Sequence, residues 1–235
     1  MRRRLNVAFI LVLLLSFNIT SLETTALTKK FKIGIVLLAA GPAERMKQNK
    51  LALIINGKTL LENALYAAHK SAADTVSIVV GAFEKEHLKL IEKHPVEAIL
   101  NTNWKKGIGS SIKYGLQKIL TSNPDLDAVI ISVCDQPFLT KEVFDGLIST
   151  YKTTGKKIIV SAYTKSIGVP VLYDRVLFSE LLNIPDRYGG KRTIIEKAKK
   201  EMLGSIPFPK GEIDIDTIED IKKLDAIRKT NTANE

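Results

Sequence analysis

Lys32-Ile33-Gly34-Ile35-Val36-Leu37-Leu38-Ala39 runs apolar on both alternating faces and ends in the small-residue turn Ala40-Gly41. A half-solvated strand alternates apolar with polar residues. A run apolar at every position reads as a strand covered on both sides, as in a parallel sheet between helices. Working outward, Thr59 to Ala73 carries Leu60, Leu61, Ala64, Leu65 and Ala68 at helical spacing. Thr75 to Val80 reads as a β-branched strand ending at Gly81, Glu84 to Lys93 as a short helix closed by His94-Pro95, and Val96 to Leu100 as a strand. Ser110 to Leu120 reads as a helix, Asp127 to Val133 as a strand, Thr140 to Tyr151 as a helix with Thr140 as N-cap, and Lys157 to Tyr163 as a strand. Further helices are expected over 174–182, 191–200 and 217–227. Strands alternating with helices of this length predict βαβ units. The expected fold is α/β: one doubly wound, mostly parallel sheet flanked by helices, with no internal repeat or linker to divide it.

Composition agrees with a globular chain. Of 235 residues, 45% are apolar and 26% charged, which excludes disordered and low-complexity classes. The single cysteine, Cys134, excludes an intramolecular disulfide and any all-cysteine metal cluster. Three histidines argue against a multi-histidine zinc site. The net charge of +10 is spread along expected helices, and aromatic residues, at 6%, do not interleave with the bases. A stacking platform for single-stranded nucleic acid is therefore not expected. The charge reads as solvated helix faces, with a minority reserved for phosphate.

Arg2, Arg3 and Arg4 precede an apolar run from Val7 to Phe17. This has the form of a secretory signal or anchor, and it is too short for a confident membrane span. A second reading places residues 1–27 outside the working protein. Thr28-Lys29-Lys30-Phe31 resembles the opening of a cytosolic domain, and Leu27 is read as an alternative start in an over-extended gene. The expected division is a signal-like or extraneous segment over 1–27 and one domain over 28–230. A cytoplasmic location is expected, with an exported or membrane-anchored protein as the alternative.

In such sheets ligands bind outside the carboxyl ends of the strands. After the first strand comes Ala39-Ala40-Gly41-Pro42-Ala43-Glu44-Arg45-Met46-Lys47-Gln48-Asn49-Lys50. Its small residues allow close backbone approach, and Arg45 and Lys50 can neutralise phosphate oxygens. The alternative is a surface turn with two solvated bases. It is neither a P-loop nor a dinucleotide glycine fingerprint. After the fourth strand comes Cys134-Asp135-Gln136-Pro137, where Asp135 can hold Mg²⁺ against a phosphate or merely turn the chain before Pro137. Cys134 reads as a buried small apolar residue rather than a nucleophile. Near the end, Glu212-Ile213-Asp214-Ile215-Asp216-Thr217 alternates as a strand would, with Asp214 and Asp216 on one face. Asp216 is favoured as a second metal ligand, Asp214 as an exposed or capping residue.

Taken in order, these segments resemble the molybdenum cofactor cytidylyltransferase family, among nucleotidyltransferases with a glycosyltransferase-A-like Rossmann fold. Leu38-Ala39-Ala40-Gly41, Arg45-Met46 and Lys50 resemble its Leu-Ala-Ala-Gly…Arg-Met-Gly…Lys signature. Trp104-Lys105-Lys106-Gly107-Ile108-Gly109-Ser110-Ser111-Ile112 resembles its Trp-x-x-Gly-Met-x-Ser-Ser-Leu, and Asp135-Gln136-Pro137 its Asp-Gln-Pro. Gly168-Val169-Pro170-Val171-Leu172, Asp186-Arg187-Tyr188-Gly189-Gly190-Lys191 and Asp214-Ile215-Asp216-Thr217-Ile218-Glu219-Asp220 are similar to three further family segments. Lys47 stands where the family has Gly, Asn49 where it has Pro, and Ala43-Glu44 replace small hydroxyl residues.

The resemblance implies attack by an acceptor phosphate on the α-phosphorus of a nucleoside triphosphate, with release of pyrophosphate. Arg45, Lys50 and Asp135 would be catalytic, and Asp135 and Asp216 would hold Mg²⁺. Ala39, Ala40, Gly41, Gly81, Gly107, Ser110 and Ser111 would line the nucleotide site. Ala39-Ala40-Gly41 leans toward CTP, again by resemblance. The acceptor implied is a phosphorylated pterin, molybdopterin bearing molybdenum, with a molybdoenzyme as recipient of the product. The alternatives are another phosphorylated acceptor, such as a sugar phosphate, or a non-catalytic nucleotide-binding maturation protein.

Overall fold

A computed structural model describes residues 30–43, 46, 48–215 and 220. The signal-like segment, Arg45, Lys47, Asp216 and the helix expected over 217–227 lie outside the described residues. Among those described, no helix is long and apolar enough to cross a membrane.

Ile33–Ala39 forms β1, buried at every position. Its parity splits between two cores. Ile33, Ile35 and Leu37 pack in one layer with Leu61, Leu65, Phe144 and Leu147. Val36 and Leu38 pack in the other with Leu116, Ile119 and Leu181. Each such aliphatic side chain, fully buried, contributes about 1.5–3 kcal/mol.

β1 lies between two parallel partners, β4 (Thr75–Val80) and β6 (Ala128–Val133). β5 (Glu97–Leu100) extends the sheet in parallel beyond β4. On the other side β8 (Ile167–Asp174) runs antiparallel between β6 and β7 (Ile158–Ala162), and β9 (Leu203–Pro207) pairs in parallel with β7. The order is β5-β4-β1-β6-β8-β7-β9. A two-stranded hairpin, β2 (Ile54–Ile55) with β3 (Lys58–Thr59), stands apart. The mostly parallel sheet is thus present, with β8 as its reversed strand. The chain leaves β1 for β4 on one side and later returns to β6 on the other, so the strand order reverses at the carboxyl end of β1. That is where an open α/β sheet forms its ligand crevice.

Between residues 30 and 215 the described α-helices are α1 (Leu60–Lys70), α2 (Glu84–Ile91), α3 (Ile108–Ser122), α4 (Lys141–Thr154), α5 (Phe178–Leu182) and α6 (Gly190–Thr193). α1 opens with a capping box: the Glu62 amide donates to Thr59 Oγ1 at 3.1 Å, and the Thr59 amide donates to Glu62 Oε2 at 2.8 Å. Thr140 occupies the N-cap position of α4, but its side chain caps no amide of that helix. Its hydroxyl instead interacts with the Glu142 carboxylate.

Several expectations need correction. The helix expected from residue 174 begins only at Phe178. Asp174 ends β8 and accepts from the Val176 amide at 3.0 Å, capping a 3-10 turn, Arg175–Leu177. The helix expected over 191–200 breaks into α6 and a separate 3-10 turn, Ile195–Lys197. β8 and β9 were not foreseen. In β8, Gly168 and Pro170 mimic a turn, yet the register with β7 shifts at Val160/Ser161 opposite them. Such an irregularity is where a strand tolerates proline. Residues 213–215 form no strand, so the shared face expected for Asp214 and Asp216 is not built by a ladder.

Candidate functional site

At the switch point lies a cleft of about 450 Å³, within the range of roughly 300–1,000 Å³ usual for small-molecule sites. Its floor is the end of β1 and the turn after it, Leu38 to Ala43. A second wall comes from Val133, Cys134 and Asp135 at the end of β6. A third comes from Trp104, Gly107, Ile108 and Ser111 at the start of α3, and the last from Phe83 and His87 of the β4–α2 passage.

Of the residues singled out in the sequence, Ala39, Ala40, Gly41, Lys50, Gly107, Ser111 and Asp135 meet in this cleft. Lys50 Nζ donates to Asp135 Oδ2 at 2.6 Å, with the two side chains 16% and 19% exposed. Residues 85 positions apart thus place one cation and one carboxylate in a half-dry cavity, where charge interactions are stronger than in water. Gly81 and Ser110 do not line it. A Cβ at Gly81 would press on the Ala40 carbonyl and Trp104, so this glycine allows close packing behind the floor. Ser110 is buried and bonded to Asn101 Nδ2 at 2.9 Å and to the Asn103 carbonyl at 3.0 Å.

The wall at α3 is built tightly. Gly107 has φ +121° and ψ 179°, a region essentially reserved for glycine, and an added Cβ would meet the Asp186 carbonyl. The Ser110 amide donates to Gly107 at 3.1 Å and to Asp186 at 3.3 Å, so it is not free for a ligand. Lys113 of α3 holds the Asp186 carboxylate at 2.5 Å, keeping that carboxyl below the ordinary range. The 185–191 loop is thereby fixed over the start of α3, beside Ile108 and Tyr188, 43% and 38% exposed.

Cys134 is fully buried, and burial, with Asp135 beside it, pushes its thiol well above the ordinary range. It stays protonated and inert, as its sequence context predicts. Gln136 points away from the cleft. Its amide nitrogen donates to the Gly211 carbonyl at 2.6 Å, to the Tyr163 hydroxyl at 2.8 Å and to the Val169 carbonyl at 3.2 Å. It joins the loop after β6 to β8 and to the segment leading into 213–215. That segment returns to the site: the Ile215 amide donates to the Asp135 carbonyl at 3.1 Å. Asp135 and Asp214 both raise the Tyr163 hydroxyl, which burial chiefly drives up to about 12. Among the described residues no cluster of three or more His, Cys, Asp or Glu could hold a metal. The carboxylate oxygens of Asp135, and the approach of residue 215 to it, do suit a hard cation held by few protein ligands and by substrate oxygens.

Sequence reasoning missed His87, Phe83, Asn49 and Asn101. His87 is 1% exposed on α2, and its Nε2 lies 2.9 Å from Asn49 Oδ1. Burial holds its imidazole below the ordinary histidine range, against the pull of Glu86 and the Ala39 carbonyl. Asn101 orders Ser110 and Ser111 and accepts from the Asn103 amide at 2.9 Å. Nothing in local pattern separates either residue from a solvated polar one. Only burial does.

Residues 35–202 match the MobA-like NTP transferase domain, and the chain belongs to that family. It is a nucleotidyltransferase by domain and fold. Over 202 residues it is 25% identical to the purine catabolism protein PucB of Bacillus subtilis, covering 83% of this chain and 95% of that protein. Over 199 residues it is 25% identical to nicotine blue oxidoreductase of Paenarthrobacter nicotinovorans, covering 80% and 94%. The crystal structure of Rv0371c from Mycobacterium tuberculosis shares the fold with a TM-score of 0.72 at 20% identity, covering 83% of this chain and 98% of that one. A manganese complex of Rv0371c aligns at 0.67 and 19%, covering 82% and 97%.

Proposed function

We propose that the cleft transfers a nucleoside monophosphate, CMP from CTP, to the terminal phosphate of a phosphorylated pterin, molybdopterin bearing molybdenum. The observation that carries this is the placement of Lys50 and Asp135 at the switch point, against the backbone turn Ala39-Ala40-Gly41. The turn's amides and Lys50 bind the triphosphate, and Arg45, four residues past Gly41 in the chain, adds a second cation. Asp135 and Asp216 are the proposed ligands of Mg²⁺, which when bound would neutralise charge at the α-phosphate. Ile108, exposed in the wall of the cleft, offers an apolar surface to the acceptor's ring.

The acceptor phosphate is already ionised, so no strong general base is required. One of its oxygens forms a bond to the α-phosphorus, the α–β bridging bond breaks, and its electron pair leaves with pyrophosphate. The protein supplies positioning and charge neutralisation. Lys50 shifts from Asp135 to a triphosphate oxygen as nucleotide enters. The loop over 185–191, fixed on α3 by Lys113, screens the reacting end from water. A molybdoenzyme would receive the product.

The test is pyrophosphate release with each of the four triphosphates and Mg²⁺, with and without molybdenum cofactor. Release that needs CTP and the cofactor is expected. Release that needs a sugar phosphate instead would replace the acceptor. Nucleotide binding without release under any condition would reject transfer in favour of a binding protein.

A further inference from the structure

Lys50 belongs to a single 3-10 turn, Lys50–Ala52, at the end of the long loop after β1. A lysine has many rotamers, and a loop this long leaves its Cα poorly determined unless something fixes the turn. Asn49 does so from the residue before. Its Oδ1 accepts from the Leu51 amide at 3.2 Å and from His87 Nε2 at 2.9 Å. Its Nδ2 donates to Glu86 Oε2 at 2.8 Å. The Leu51 and Glu86 bonds together fix which end of the amide is oxygen, so His87 must present Nε2–H. Asn49 has φ −67°, the value a proline ring would impose, and among the described residues its main-chain N–H donates no hydrogen bond.

We propose that Asn49, gripped by His87 and Glu86 of α2, is the positioning residue that sets Lys50 against Asp135. The side-chain clamp performs from outside the constraint that a proline ring would supply from within. His87 also lines the cleft, but it acts on Lys50 through Asn49. The consequence for turnover rests on the reading that Lys50 carries charge from the triphosphate. The consequence for Lys50 itself does not.

Two readouts test this in the full chain. The first is the acetylation rate of Lys50 by limiting acetic anhydride, measured by peptide mass spectrometry, which needs no activity. The second is kcat and KM for pyrophosphate release. Asn49→Ala and His87→Leu should each raise Lys50 labelling about threefold or more and lower kcat about tenfold, since small misplacement of a charged group costs rate steeply. The double variant should be no worse than either single, the mark of residues acting as a unit. Asn49→Pro should recover most of the protection that Asn49→Ala loses, including in the His87→Leu background. His87→Gln, which keeps a donor, should protect better than His87→Leu. Unchanged labelling in Asn49→Ala with an unchanged melting temperature overturns the clamp. So does Asn49→Pro labelling as fast as Asn49→Ala. The predicted labelling pattern in a chain that releases no pyrophosphate upholds the clamp and rejects the transferase reading.

Discussion

Lys50 and Asp135 neutralise each other across 2.6 Å, so each is poised for the partner a nucleotide would bring. A hydrogen bond to a charged group is worth roughly 1.5–3 kcal/mol, or about 10- to 100-fold in rate if realised in the transition state. Negative charge moves onto the leaving pyrophosphate as the bond breaks. Lys50→Ala is therefore expected to lower kcat by that factor with little change in KM, read from steady-state pyrophosphate release. A rise in KM alone would mean that Lys50 holds ground and transition states equally. Asp135→Ala should cost roughly 100-fold or more, the scale for one preorganised charge-stabilising group. Circular dichroism should find that variant folded, because Asp135 sits at a strand tip and carries none of the core. Wild-type turnover in Asp135→Ala would remove it from the chemistry.

At the scale of elements, α3 and the loop it carries depend on one backbone conformation. Gly107→Ala would force a Cβ into a glycine-only region against the Asp186 carbonyl, at a cost of about 1–3 kcal/mol. The melting temperature should fall by several degrees, and labelling of Lys113 should rise as the 185–191 loop lifts from α3. An unchanged melting temperature would show that the loop yields freely. The capping box of α1 offers a control at residues that do not line the cleft. Thr59→Ala should cost about 1 kcal/mol, roughly 2–4 °C in a domain of this size, and leave kcat alone.

For the whole molecule, two buried groups give stability the same dependence on pH. Burial lowers the His87 imidazole, so the unfolded chain takes up its proton first, near pH 6.5. Its contribution is complete above that pH and is lost as pH falls below it. Asp174 is 6% exposed at the end of β8. Burial opposes its ionisation, but the Val176 amide, the Lys157 ammonium at 3.0 Å and the Tyr151 hydroxyl at 2.9 Å outweigh it and keep the carboxyl below the ordinary range. Its contribution is present above about pH 4, the unfolded value, and is lost below. The melting temperature should fall on acidification in two steps, first below about pH 6.5 and again below about pH 4. His87→Leu should shrink the first step in a thermal-shift series, leaving the smaller part that His69, whose imidazole burial also lowers, contributes. A flat profile from pH 7 to 5 in the unmutated chain would contradict the assignment to His87.

The alternation of apolar runs and amphipathic segments sufficed for the fold class, because burial on both faces of Ile33–Ala39 and on one face of Leu60–Lys70 is written in each segment's own period. The small turn Ala39-Ala40-Gly41 and the carboxylate of Asp135 were legible for a related reason. Both follow buried strands directly, and a parallel sheet offers its ligands only those ends. β8 was not legible, since Gly168 and Pro170 are turn signals that only the irregular pairing with β7 overrules. Nor was the clamp on Lys50, because Asn49 and His87 carry no local mark of their pairing across 38 positions. The sequence by itself determined the alternation of strands and helices and the candidate charges, while the strand order that makes the switch point came only with the tertiary structure. Tertiary structure alone decided which polar side chains are dry, and a polar residue becomes part of a site only when its water is taken away and one partner replaces it.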